Sequence, residues 1–148
     1  MEIDRDILNE ANIQLGRSFS TKEEAIAAAG QILVDNGYAL PAYIDAMQER
    51  ERTVSVHIGN DVAIPHGVDG SGPLIKKTGL SVITVPEGVS FGEGRIARLV
   101  VGIAAVNDEH LPLLTNLAII CCDMDNVEKL VAATDPQTII DILSADVM

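Results

Sequence analysis

Positive charge is scarce in this chain. Ten Lys and Arg stand against 22 Asp and Glu, for a formal charge of −12 and a sequence pI near 4.4. A nucleic-acid backbone is met by a positive surface, so nucleic acid is excluded as an expected partner. Cysteine is scarcer still. Cys121 and Cys122 are the only two and are adjacent in an apolar run; neighbours are poorly placed for a structural disulfide, and no metal-ligand spacing surrounds them. They are expected to be buried free thiols in a reducing compartment. No apolar run approaches the roughly 18 residues of a membrane span. The start, Met1-Glu2-Ile3-Asp4-Arg5-Asp6, is charged and lacks the apolar core of a signal sequence. The expectation is a soluble cytoplasmic protein without membrane insertion. Also missing are internal repeats, low-complexity stretches, a glycine-rich nucleotide loop before a helix, and a catalytic serine motif. Nothing calls for a cofactor.

What is present suits one α/β unit over residues 1–148, since 148 residues at 47% hydrophobic content bury a core without staples. Thr21-Lys22-Glu23-Glu24 reads as a capping box that opens a helix with Ala25, Ile26, Ala29, Ile32 and Leu33 on one face, stopped at Asn36-Gly37. A second helix starts near Pro41 and carries Tyr43, Ile44 and Met47 as its apolar stripe before Gln48–Arg52 turns polar. Thr53–Ile58 alternates like a half-buried strand, which puts His57 on the polar face. Leu80–Val85 and Leu99–Val106, rich in Val and Ile, read as strands buried on both faces at the sheet centre. Asn107-Asp108-Glu109-His110 precedes an apolar helix over Leu111–Cys122. Asp125-Asn126-Val127-Glu128 and Asp135-Pro136 cap two more helices. Helices before and after the strands imply a layered α/β sandwich, with a central mixed sheet and ligands near strand ends.

Chemistry concentrates at Gly59-Asn60-Asp61-Val62-Ala63-Ile64-Pro65-His66-Gly67. Val62-Ala63-Ile64 reads as a short buried strand. Pro65 fixes φ and biases Ile64 towards extended geometry, and Gly67 lets the backbone come close to whatever the imidazole carries. A rigidly held neutral imidazole is well suited to take up and release a group near neutral pH. The plain alternative is a histidine that merely ends a strand.

That motif resembles the phosphorylation motif of the mannitol/fructose-type enzyme IIA components of the bacterial sugar phosphotransferase system. Lys22–Ile26, Val34–Tyr38, Met47–Glu51, Val85–Gly92, Ala97–Ala105 and Glu109–Leu111 look like the mannitol-specific branch, so the resemblance runs from about Asn12 to Ser144. It implies a relay in which the phosphocarrier protein HPr passes a phosphoryl group to His66, which hands it to a cysteine of the mannitol enzyme IIB of membrane enzyme IICB. It also implies that Arg50 is the family's active-site arginine and His110 its second histidine. Asn60 stands where mannitol members often carry Glu. An alternative use of the same phosphohistidine is a regulatory module of the fructose or nitrogen-related type. A second alternative is a metal site built from His57, His66 and His110, although their spacing matches no short metal motif.

Overall fold

The computed structural model describes residues 3–144. Among them, strands β1 (Ile13–Gln14), β2 (His57–Gly59), β3 (Val62–Ala63), β4 (Gly79–Ser90) and β5 (Ile96–Ala104) form one five-stranded sheet in the order β1-β4-β5-β3-β2. The two Val- and Ile-rich runs make its centre, as their composition predicts. β4 and β5 are antiparallel, β1 joins β4 in parallel, β3 joins β5 in parallel, and β2 closes the other edge antiparallel to β3.

Helices α1 (Lys22–Asp35) and α2 (Tyr43–Thr53) cover one face, where Ala25, Ile26, Leu33 and Met47 pack with Ile83, Val85 and Val100. Helices α3 (His110–Cys121), α4 (Met124–Val131) and α5 (Pro136–Leu143) cover the other, where Leu113, Leu117, Val127 and Ile139 pack with Val82, Leu99 and Val101. Val100 and Val101 thus face opposite layers, which is why the run reads as continuously apolar. The result is the layered α/β sandwich that the pattern of elements implies.

Local signals decide several boundaries. The Thr21 hydroxyl accepts from the Glu24 amide at 3.2 Å and starts α1. Asp135 caps α5 by accepting from the Thr138 amide at 2.9 Å, with Pro136 at the first helical position. The cap of α4, however, is Asp123, two residues before the expected Asp125. The Asp123 carboxylate takes the Asp125 amide at 2.9 Å, which leaves Asp125 inside the first turn.

The expected strand over Thr53–Ile58 is the largest departure. α2 runs on through Thr53, Val54 is 60% exposed and Ile58 is 42% exposed. Side chains explain it. The Arg50 guanidinium donates to the Val54 carbonyl, and the Glu51 carboxylate takes the Ser55 hydroxyl at 3.1 Å and the Val56 amide at 2.8 Å. These contacts extend the helix end into a fixed link, and an irregularity between His57 and Gly59 then breaks the period of two. Of the two thiols, Cys121 is buried as expected, whereas Cys122 is exposed. Strand β1 carries no signal of its own. It is zipped onto β4 by its neighbours, with the Gly16 amide on Thr84 Oγ1 at 2.8 Å and the Arg17 amide on the Thr84 carbonyl at 2.9 Å.

Candidate phosphoryl-transfer site

β3 and β5 are neighbours and parallel, in the register Val62↔Leu99 and Ala63↔Val100, so both chains leave the sheet at the same edge. His66 follows β3. His110 follows β5 as the first residue of α3. Ligands of α/β sheets bind at such carboxyl ends, where diverging loops open a crevice. Between β5 and α3 the chain reverses through Asn107 (φ 55°) and Asp108 (φ 62°), with the Glu109 amide on the Val106 carbonyl at 3.0 Å. This is a type I′ turn, and Asn and Asp tolerate its left-handed backbone better than most residues.

Two hollows meet at the imidazoles. One, of about 550 Å³, is lined by Tyr43, His66, Ser71, Asn107, Asp108 and His110, among others. The second, of about 600 Å³, brings Arg50, Val54, Leu111 and Leu114 to the same pair of histidines. Gly67, Val68 and Asp69 belong to both, so His66 and His110 stand on the ridge between them.

The geometry of His66 fixes its chemistry. Its Nδ1 lies 2.8 Å from the Ile64 carbonyl. A carbonyl only accepts, so the proton sits on Nδ1 and the lone pair on Nε2. Burial lowers the pKa of His66 below its ordinary value; the Ile64 bond opposes this, the charges of Arg50 and His110 add to it, and Asp69 opposes it. Near neutral pH the ring is a neutral base with its nucleophilic nitrogen free.

Arg50 comes from the last turn of α2, where one guanidinium nitrogen holds the Val54 carbonyl. Its remaining N–H groups are not needed for that bond and suit phosphate oxygens. The structure thus brings His66, Arg50 and His110 around one crevice. It does not bring His57 there. The Nε2 of His57 lies 2.8 Å from the Ile96 carbonyl and its Nδ1 accepts from the Gly59 amide at 3.1 Å. Among the described residues no group of three or more His, Cys, Asp or Glu is arranged to hold a metal ion, so the three-histidine metal set does not assemble. Asn60, at φ 51°, spends its amide on the Cys121 and Cys122 carbonyls at 2.9 and 3.2 Å and fastens the β2–β3 turn to the end of α3.

Sequence reasoning missed Tyr43, Asp69 and Ser71. Tyr43 reads as part of an apolar stripe. The available signal was its hydroxyl, which needs a partner wherever the ring is buried.

Residues 6–146 match the family described as phosphoenolpyruvate-dependent sugar phosphotransferase system, EIIA 2. The mannitol-specific phosphotransferase enzyme IIA component of Bacillus subtilis is 46% identical over 138 residues, covering 93% of this chain and 96% of that protein. The crystal structure of IIA mannitol from Escherichia coli superposes with a TM-score of 0.86 at 42% identity, over 92% of this chain and 98% of that one. The Escherichia coli complex of enzyme IIAMTL with phosphorylated enzyme IIBMTL matches with a TM-score of 0.87 at 41% identity, over 92% of this chain and 96% of its counterpart. The chain belongs to the EIIA 2 family of the phosphoenolpyruvate-dependent sugar phosphotransferase system.

Proposed function

We propose that this chain, working as one domain in the cytoplasm, is the phosphohistidine carrier of a mannitol phosphotransferase relay. His66 Nε2 attacks the phosphorus of phospho-HPr, forming one P–N bond as the donor's P–N bond breaks. A cysteine thiolate of enzyme IIB then attacks that phosphorus, and the phosphoryl group leaves His66 as the P–S bond forms. The observation that carries this reading is the Nδ1–H bond from His66 to the Ile64 carbonyl, which leaves Nε2 free at a crevice shared with Arg50 and His110. Phosphoryl transfer spreads negative charge over the equatorial oxygens, and positioning with preorganised donors lowers its barrier. The Arg50 fork and the His110 imidazole supply such donors. The choice of mannitol and of an enzyme IIB acceptor is supported by the relatives, one of which was solved with phosphorylated enzyme IIBMTL.

Incubation with phosphoenolpyruvate, enzyme I and HPr, read by intact mass, tests the proposal. One acid-labile phosphoryl group is expected on the wild-type chain and none on His66→Ala. Undiminished labelling of His66→Ala, or loss of labelling only in His57→Ala, sinks it.

A further inference from the structure

Against Gly67, next to the imidazole in the chain, lies a side chain that the phosphoryl group never needs to touch. Tyr43 is 2% exposed. Its hydroxyl donates to the Ile103 carbonyl at 2.7 Å and accepts from the Gly67 amide at 2.9 Å. The Ile103 amide in turn donates to the Pro65 carbonyl at 2.9 Å. One residue of β5 therefore anchors both neighbours of His66, Pro65 directly and Gly67 through the phenol. The ring itself is the floor under Gly67, since a Cβ there would lie 2.5 Å from Tyr43 Cε1 and 2.3 Å from Ser71 Oγ.

α2 supplies more of the frame. Tyr43, Ala46 and Arg50 recur at helical spacing and so share a face. The Ala46 carbonyl accepts from the Val68 amide at 3.3 Å, and Arg50 borders the hollow beside His66. One helix face thus fixes the backbone on the far side of His66 and presents the cation. Burial pushes the Tyr43 pKa up to about 12, against the lowering effect of the Gly67 bond. The phenol keeps its proton at working pH, so its two bonds keep their direction.

We infer that Tyr43 is a positioning residue for phosphoryl transfer, clamping Gly67 to β5 so that the imidazole of His66 meets the phosphorus in line. The inference rests on the reading of His66 as the phosphoryl acceptor. Transfer is steep in geometry, and a displacement of about 1 Å costs on the order of a hundredfold in rate.

Tyr43→Phe removes the clamp and little else. Its single-turnover phosphorylation by phospho-HPr is expected to fall about tenfold or more at saturating donor, with half-saturation changed less than about twofold. The label stays on His66. In nitrogen NMR the fixed Nδ1–H tautomer of His66 gives way to a mixture. Tyr38→Phe is the matched control. The Tyr38 hydroxyl also makes two bonds, to the Asp6 carbonyl at 2.8 Å and from Asn12 Nδ2 at 3.0 Å, in the same packed layer but away from the crevice. It is expected to lose similar stability and to transfer at the wild-type rate.

Transfer by Tyr43→Phe within about twofold of wild type, or an equal slowing in Tyr38→Phe, overturns the inference. Hydrogen exchange at the Gly67 amide of the wild-type protein tests the clamp without any variant: protection supports it, and exchange at the rate of an open loop overturns it. Failure of the wild-type chain to label at His66 would instead overturn the underlying function, so the two failures are separable.

Discussion

At the residue scale the site works through one proton and one fork. His66 is held below its ordinary pKa chiefly by burial, against the opposing Ile64 bond and with the charges of Arg50 and His110 adding to the effect. Between that depressed value and about 6.5, where an unfolded histidine titrates, the unfolded chain binds more protons than the folded one. Stability therefore rises with pH through this window and is lost as pH falls from about 6.5 towards the folded value. The urea midpoint of the wild-type protein is expected to drop over that interval more than that of His66→Gln; equal slopes would show that His66 is not the group involved. Arg50 already gives one nitrogen to the Val54 carbonyl, so a lysine in its place would have to choose between that carbonyl and the phosphoryl oxygens. Arg50→Lys is expected to slow transfer at saturating phospho-HPr by about tenfold or more while half-saturation changes less. His110→Ala removes one donor of several and should slow transfer by a similar order. Wild-type rates at saturation would retire either residue from the site.

At the element scale, the link from α2 to β2 is where sequence and structure part, and the Glu51 carboxylate holds it. Buried among the Ser55 hydroxyl at 3.1 Å, the Val56 amide at 2.8 Å and Lys22 Nζ at 3.1 Å, it stitches the helix end to the link that follows and to α1. Glu51→Ala leaves the buried Val56 amide without its acceptor, at a cost of about 1–3 kcal/mol. Urea unfolding measures this, and a change under about 0.5 kcal/mol would mean that the backbone alone sets the link. Such long-range stitching explains what the sequence shows and hides. α5 is legible because Asp135 and Pro136 act within one turn, and the central strands are legible because burial on both faces writes a continuous apolar run. β1 is not legible, because two residues on an edge are held there by β4 rather than by their own pattern. The Thr53–Ile58 alternation misleads because Arg50 and Glu51, from the preceding helix, decide the backbone there. The site divides the same way. His66 stands out locally, between a proline and a glycine at the end of a buried strand. Arg50 and His110 lie about 16 and 44 residues away and were visible only through resemblance. Tyr43 was hidden by its own apolar ring.

At the scale of the whole molecule, the formal charge of −12 has a site to act on. The hollow beside His66 is lined by the apolar Val54, Leu111 and Leu114 and by the carboxylates Glu49 and Asp69. A relay releases each partner after one transfer, so a small interface with a modest apolar centre suits it better than a large one. Long-range charge then sets how often partners meet rather than how long they stay. An acidic carrier attracts a partner that docks through a basic face, and attraction between exposed charges is screened beyond roughly 8 Å at physiological ionic strength. The association rate of HPr is therefore expected to fall steadily as salt rises from low to physiological and above, while the dissociation rate changes little, because the apolar centre that governs release is indifferent to moderate salt. Stopped-flow association at several salt concentrations separates the two rates. An on-rate flat in salt would assign the acidic surface to solubility alone, and a salt effect confined to dissociation would place ion pairs inside the docked interface rather than around it.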